Sequence, residues 1–479
     1  MTDAAPWATT PESADAVSLT RSAARRLREL AALDIPAEVH TKAAICLLDY
    51  LGACIGGLSS PWAPAVLNYI GSGGGTPQSH QWGLAHRIRA DDAAFGNSVL
   101  GHSLIRDDMH VRSGSHIGVL VIPAALALAQ RDGLSGRALV RALVGGYEMS
   151  VRLGVAVRQG PSTRHFRPSG IHGAFGAASA AIAATDVDED VAVHALGFAA
   201  NAAAGVNEWP WAGGQEIYTH TGTAARGGLV AFDLARAGMR ASESVLEGRD
   251  GLFNAYGAGR AGAEHFARSL HEPFGILDVR HKPFAGCNLI QTPIAAALAA
   301  RNKITGRPGD IESVTIKTFA QAQAYPGCDN PGPFFQVQQS KMSLQYAVAS
   351  AVLYGRVDED TYIRFSDPDL AALIGRCRIE IDPGLDPLLA QGKQPAQVEI
   401  RLTDGAVHSA AVDDVPWLGD DAVVARFRAT AAHLLAPAAV DTIIDAAHHL
   451  WELDDCAPLF EAFTATHADA MMGLSAAQN

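Results

Sequence analysis

The chain has 479 residues, 48% hydrophobic and 18% charged, with a formal charge of −13. That composition can bury the core of two or three domains, and Lys and Arg, outnumbered and forming no basic stripe, argue against a nucleic-acid partner. Six scattered cysteines without a CxxC pair exclude a disulfide framework. With an N-terminus that lacks a signal pattern and no apolar run reaching ~20 residues, the expectation is a cytoplasmic protein without a membrane span.

Residues 1–18, rich in Pro, Ser, Thr and Ala, read as a disordered tail. Helix begins at Leu19 with the amphipathic LTRSAARRLREL. Pro36 opens a second helix, in which HTKAAICLLDYLGACIGG repeats apolar residues every three or four positions. The glycine-rich GSGGGT at 71–76 is a turn, because it is neither GxGxxG nor followed by GK[ST]. Helices are predicted over 91–104, 118–130 and 136–153. In RHFRPSGIHGAFGAASAAIAA, Gly170, Gly173 and Gly176 would let a helix approach another backbone closely. A soft helix is predicted over 194–209, stopping before Pro210, and another over 229–239.

From residue 277 the pattern changes. Short β-branched, alternating stretches at 311–319, 377–382 and 398–402 read as strands, and Asp404-Gly405 is a hairpin signal. Helical runs at 288–301 and 341–354 sit among them, and helix returns over 419–467. The expected fold is mainly α: a large all-helical domain of residues 19–276 plus 416–479, with a smaller α/β lid domain, 277–415, inserted into it. A cleft should form where the two touch.

One stretch stands out chemically. Residues 102–116, HSLIRDDMHVRSGSH, hold three histidines, two adjacent aspartates and two arginines between small-residue helices. Burying such groups without partners is costly, and histidine is the side chain best suited to proton transfer near neutrality. The plain alternative is a solvated loop between two helices. No HExxH, CxxC pair or His-x₃-His is present, and the adjacent His448 and His449 would point apart on a helix. No metal and no cofactor is therefore expected.

HSLIRDDMHVRSGSHIGVLVIPAALALA resembles the identifying segment of the MmgE/PrpD family, in which a histidine, DFDDTH, a short loop, HP and an apolar helix follow one another. His102, Asp107, Asp108, His110, His116 and Pro123 fall in step; Ile105, Met109 and Ile117 stand where the family has Asp, Thr and Pro. The resemblance extends over roughly 27–459. It includes the LLDxLG phrase at Leu48, GYEMSVRLG, and an FHPT-like segment in which Arg167 replaces the histidine and His172 appears soon after. A TKPLHxGxAA-like segment is matched at His220, with Ile217 in place of its lysine. HKPFAGCN supplies Lys282 and Cys287, with Ala285 replacing a proline.

The family includes 2-methylcitrate dehydratase, cis-aconitate decarboxylase and iminodisuccinate epimerase. The resemblance implies a cofactor-independent enzyme that moves a proton beside a carboxylate or carbonyl of a small organic acid, and a homodimer. The reaction is expected to be a lyase reaction, dehydration or decarboxylation; the alternatives are an isomerase of the same family and a non-catalytic binding descendant. His116 and His110 are the candidate base and acid, Asp107 orients one of them, and Lys282 and His172 complete the candidate catalytic set. Arg167, His102, Asp108, His220 and Cys287 are candidate substrate contacts. The apolar replacements at Ile105 and Ile217 suggest a substrate less polar than a tricarboxylate.

Overall fold

The computed structural model describes residues 17–272, 274–304 and 308–464. Of the expected tail, residues 1–16 lie outside the described residues. Ser18 is ordered as the N-cap of the first helix: its Oγ accepts from Arg21 N at 3.0 Å and donates to Glu243 at 2.9 Å.

Among the described residues, ten α-helices and a pair of two-residue strands fill the first half. They are α1 (Leu19–Ala32), α2 (Ala37–Gly57), α3 (Ala63–Gly71), the strands β1 (Ser79–His80) and β2 (Arg87–Ile88), α4 (Ala90–His102) and α5 (Gly118–Asp132). Then come α6 (Gly136–Val157), α7 (Pro168–Ala184), α8 (Glu189–Ala199), the short α9 (Trp209–Ala212) and α10 (Glu216–Arg236). The small-residue pattern sets their packing. A Cβ on Gly176 of α7 would lie 2.0 Å from Ser150 Oγ of α6, and one on Gly228 of α10 would lie 2.4 Å from Ala177 Cβ of α7. These helices therefore meet near backbone contact, as close as a lattice of Ala and Gly allows. α2 is long and apolar enough to cross a bilayer by length and composition, but 78% of that stretch is buried; it is a core helix here.

The second half contains the sheet. Its four strands, β3 (Ile311–Thr318), β4 (Cys377–Ile381), β5 (Ala396–Leu402) and β6 (Val407–Val412), lie in the order β4-β3-β5-β6. β3 pairs with β4 in parallel; β3–β5 and β5–β6 are antiparallel. The Asp404-Gly405 hairpin joins β5 to β6, and Gly405 has φ +90, a conformation suited to glycine. Helices Gln291–Arg301 and Leu344–Tyr354 share a core with the alternating inner face of β3 and β5. Helices Asp420–Ala431 and Pro437–His448 then return to the core built on α2.

Two helical expectations change. α8 ends at Ala199 with one further turn to Ala202, rather than running to residue 209. Beyond it Gly205 adopts φ +108, and its carbonyl accepts from Arg167 N at 2.7 Å. The chain thus leaves the helix to pin the start of α7. Residues 216–236 form one continuous helix rather than a motif followed by a separate helix.

Candidate active site

The loop between α4 and α5 sits on buried side chains of its own. Asp108 Oδ1 accepts from the amides of Ile117 (3.1 Å) and Gly118 (2.8 Å), and Oδ2 accepts from Tyr147 (2.5 Å). Asp108 is thus the anchor for the N-terminus of α5, satisfying donors that a helix start leaves open. Burial nonetheless pushes its carboxyl up to about 6.

Asp107 points the other way. Both its oxygens lie 3.0 Å from His102 Nδ1, and Oδ2 is 3.1 Å from His116 Nδ1, without hydrogen-bond alignment in the second case. Although burial opposes ionisation, His102 and His116 hold this carboxyl well below its usual range. His102 Nε2 lies 2.6 Å from an Arg167 Nη2. Guanidinium can only donate and carboxylate only accept, so His102 must be the neutral tautomer with its proton on Nδ1. Burial first, with Arg167 contributing, depresses it to about 3. With both nitrogens engaged, His102 orients Arg167 and has no free nitrogen for a proton transfer.

His116 differs. Its Nδ1 is buried against Asp107, while the side chain keeps 8% exposure and lines a cavity of about 550 Å³. The exposed edge is therefore the one carrying Nε2. Burial lowers its pKa and Asp107 opposes that shift. Arg167, 5% exposed, reaches the same cavity with its Nε unpartnered and its guanidinium 5.3 Å from the Trp209 ring centroid. Burial lowers this group too. Ile105, Met109, Trp209, Ile217, Cys287 and Tyr325 add wall.

Ile105 has φ +51, the one non-glycine residue at positive φ among those described, and such strain is held only where surroundings enforce it. Lys282, fully buried, donates to the Ile105 carbonyl and to Gly286 O at 3.1 Å. Burial lowers its ammonium to about 8. Lys282 therefore lies beneath the cavity wall and fixes the Ile105 turn. Behind it, Asp49 receives His281 Nδ1 at 3.0 Å and Arg426 Nη2 at 2.5 Å. Arg426 also donates to Lys282 O at 2.5 Å, tying the helix Asp420–Ala431 to the site.

Other sequence candidates sit apart from the cavity lining. His110 turns back on its own loop, its Nδ1 2.9 Å from Ser113 Oγ, and burial lowers it to about 4. His172 Nε2 is 2.7 Å from Ser115 Oγ, and burial lowers it to about 3; it braces the loop from α7. His220 packs on Gly205, with burial and Arg167 lowering it to about 4. Cys287 does line the cavity. Its Sγ is 4.0 Å from Cys328 Sγ, and that contact chiefly holds its thiol below the usual range. Trp209, Asn207 and Tyr325 were not singled out in the sequence; they arrive from segments without a local motif. Burial lifts the Tyr325 phenol to about 12.

The ligand atoms of His102, Asp107 and His116 lie within 4.8 Å of one another, near enough to hold a metal ion. Arg167 and Lys282 both act electrostatically on His116, and their positive charge opposes a divalent cation there.

Two family domains are recognised in the chain by comparison with known proteins. The MmgE/PrpD N-terminal domain matches residues 21–264, and the MmgE/PrpD C-terminal domain matches residues 284–450. Human cis-aconitate decarboxylase is 24% identical over 464 residues, covering 92% of this chain and 94% of the relative. The mouse cis-aconitate decarboxylase is 26% identical over 442 residues, 86% of each chain. That of Aspergillus terreus is 27% identical over 279 residues, 56% of this chain and 57% of its own.

Proposed function

Because the chain belongs to the MmgE/PrpD family, we propose that it is a lyase that decarboxylates a small organic acid by proton transfer, using its own side chains. The names of its relatives support a decarboxylase. The observation that carries the reading is one imidazole at the cavity wall, His116, backed by Asp107 and sharing the cavity with Arg167. Decarboxylation needs one proton delivered to carbon, whereas epimerisation needs a donor and an acceptor on opposite faces.

The C–C bond to the departing carboxylate breaks, and CO₂ leaves. The electron pair stays on carbon and spreads into a neighbouring carboxylate or carbonyl held by Arg167, whose buried charge acts at low dielectric. His116, protonated at Nε2 and stabilised by Asp107, gives that proton to carbon and regains one from solvent. His102 keeps Arg167 in place throughout.

The test is a panel of unsaturated and 3-oxo carboxylic acids, assayed for CO₂ release. CO₂ with a matching product supports the reading. Water loss, or C–H exchange without CO₂, supports the dehydratase or epimerase chemistry of the family instead. Tight binding without turnover of any acid supports a binding protein.

A further inference from the structure

We infer that the substrate keeps one anionic group after reaction: it is a dicarboxylic acid with an apolar arm, its retained carboxylate on Arg167 and its arm against Ile105, Trp209 and Ile217. The inference rests on the decarboxylase reading for which carboxylate leaves. What binds depends only on the cavity.

Among the described residues no Asp or Glu lines the cavity, and its arginines are Arg158, Arg164 and Arg167. They are not equivalent. Arg158 is exposed and donates to the carbonyls of Val111 (3.4 Å) and Arg112 (3.2 Å). Arg164 is exposed and its Nε donates to His165 Nε2 at 3.0 Å. Water and salt screen both, so they steer an anion more than they hold one. Arg167 is buried, has an unpartnered Nε, and pairs with no carboxylate among the described residues. The depth of the cavity therefore offers one strong anion site.

Part of the inner wall is apolar, beside the polar groups of Ser169, Asn207, Asn288 and Tyr325. Ile105, Met109, Trp209 and Ile217 are each nearly or fully buried and line the same space. A tricarboxylate would retain two carboxylates after losing CO₂, and the second would meet neutral donors or this wall, stripped of water and without a second buried cation. The departing carboxylate gains from the same wall, because its charge disappears as it becomes neutral CO₂.

Calorimetry on the full chain with unreactive acids tests this. Butanoate, pentanoate, hexanoate and 4-methylpentanoate stand in for the retained half, and propane-1,2,3-tricarboxylate represents the excluded class. Affinity should rise about fourfold per added methylene until the cavity is filled, and the tricarboxylate should bind at least about tenfold more weakly than hexanoate. Arg167→Gln should cost hexanoate at least about tenfold, and Ile217→Lys should narrow or reverse the preference. A tricarboxylate that binds wild type as tightly as hexanoate, or no dependence on chain length, overturns the inference without any variant having to fold. His116→Ala should preserve the ranking. Wild-type protein that shows the ranking yet releases CO₂ from no acid counts against the decarboxylase reading alone.

Discussion

His102 Nε2 accepts a 2.6 Å hydrogen bond from Arg167, while His102 Nδ1 donates to Asp107 3.0 Å away. One carboxylate thereby sets the tautomer that receives the guanidinium, and the same carboxylate lies 3.1 Å behind His116. The anion holder and the proton carrier share one buried reference point. Arg167→Ala should weaken binding of an anionic substrate by about 1.5–3 kcal/mol, the usual worth of a charged hydrogen bond. His102→Ala should raise KM more than it lowers kcat, since it frees Arg167 without removing it. Steady-state kinetics of the two variants separate these effects, and an unchanged KM in both would remove the pair from the site.

Stability should fall in acid. His102 and His172 are depressed to about 3, and His110 and His220 to about 4, chiefly by burial. Between those values and the ordinary histidine pKa near 6.5 the unfolded chain binds more protons than the folded one, so stability rises with pH there. It is fully present above about 6.5 and drains away as pH falls toward 4 and then 3. Each histidine contributes a slope of up to about 1.4 kcal/mol per pH unit. Urea unfolding from pH 7.5 to 4.5 measures it, and His172→Gln should make the slope shallower.

Much of this was legible in the sequence, for physical reasons. The density of charge in residues 102–116 could be buried only if each group had a partner, so the stretch announced itself. Period-two strands, the Asp404-Gly405 turn and the closely packed glycines of α7 are local signals, and each appears where expected. Which way a side chain turns is not local. Asp107 and Asp108 are neighbours, yet one meets two histidines and the other caps α5. Trp209 and Tyr325 reach the cavity only through tertiary packing. The helix predicted over 194–209 stops early because Gly205 is needed against Arg167 N.

Lys282 should matter through the wall it supports. Lys282→Ala leaves the carbonyls of Ile105 and Gly286 without their donor and opens a void, a combined loss of about 2–5 kcal/mol. Relaxation of the Ile105 turn should lower kcat/KM even where the variant remains folded. Thermal unfolding and kinetics read the two effects. Wild-type stability with wild-type kcat/KM would show that the turn holds without the lysine.

Chelation should leave activity intact. His102, Asp107 and His116 could gather a metal ion, but a metal there would take Asp107 from its hydrogen bond with His102. Added Zn²⁺ should therefore inhibit. Loss of activity on exhaustive chelation, restored by Zn²⁺ or Mg²⁺, would reverse this assignment.

The most direct measurement is turnover in D₂O of whichever acid releases CO₂, with wild type and His116→Ala compared. One deuterium is expected on the carbon that lost CO₂, with kcat lowered ~10²–10⁴-fold in the variant, the usual worth of a positioned acid. The wild-type kcat should also fall as pH rises, because His116 must carry its proton. Full kcat in His116→Ala, with deuterium still delivered to the same carbon, would contradict this and move the proton source to another side chain.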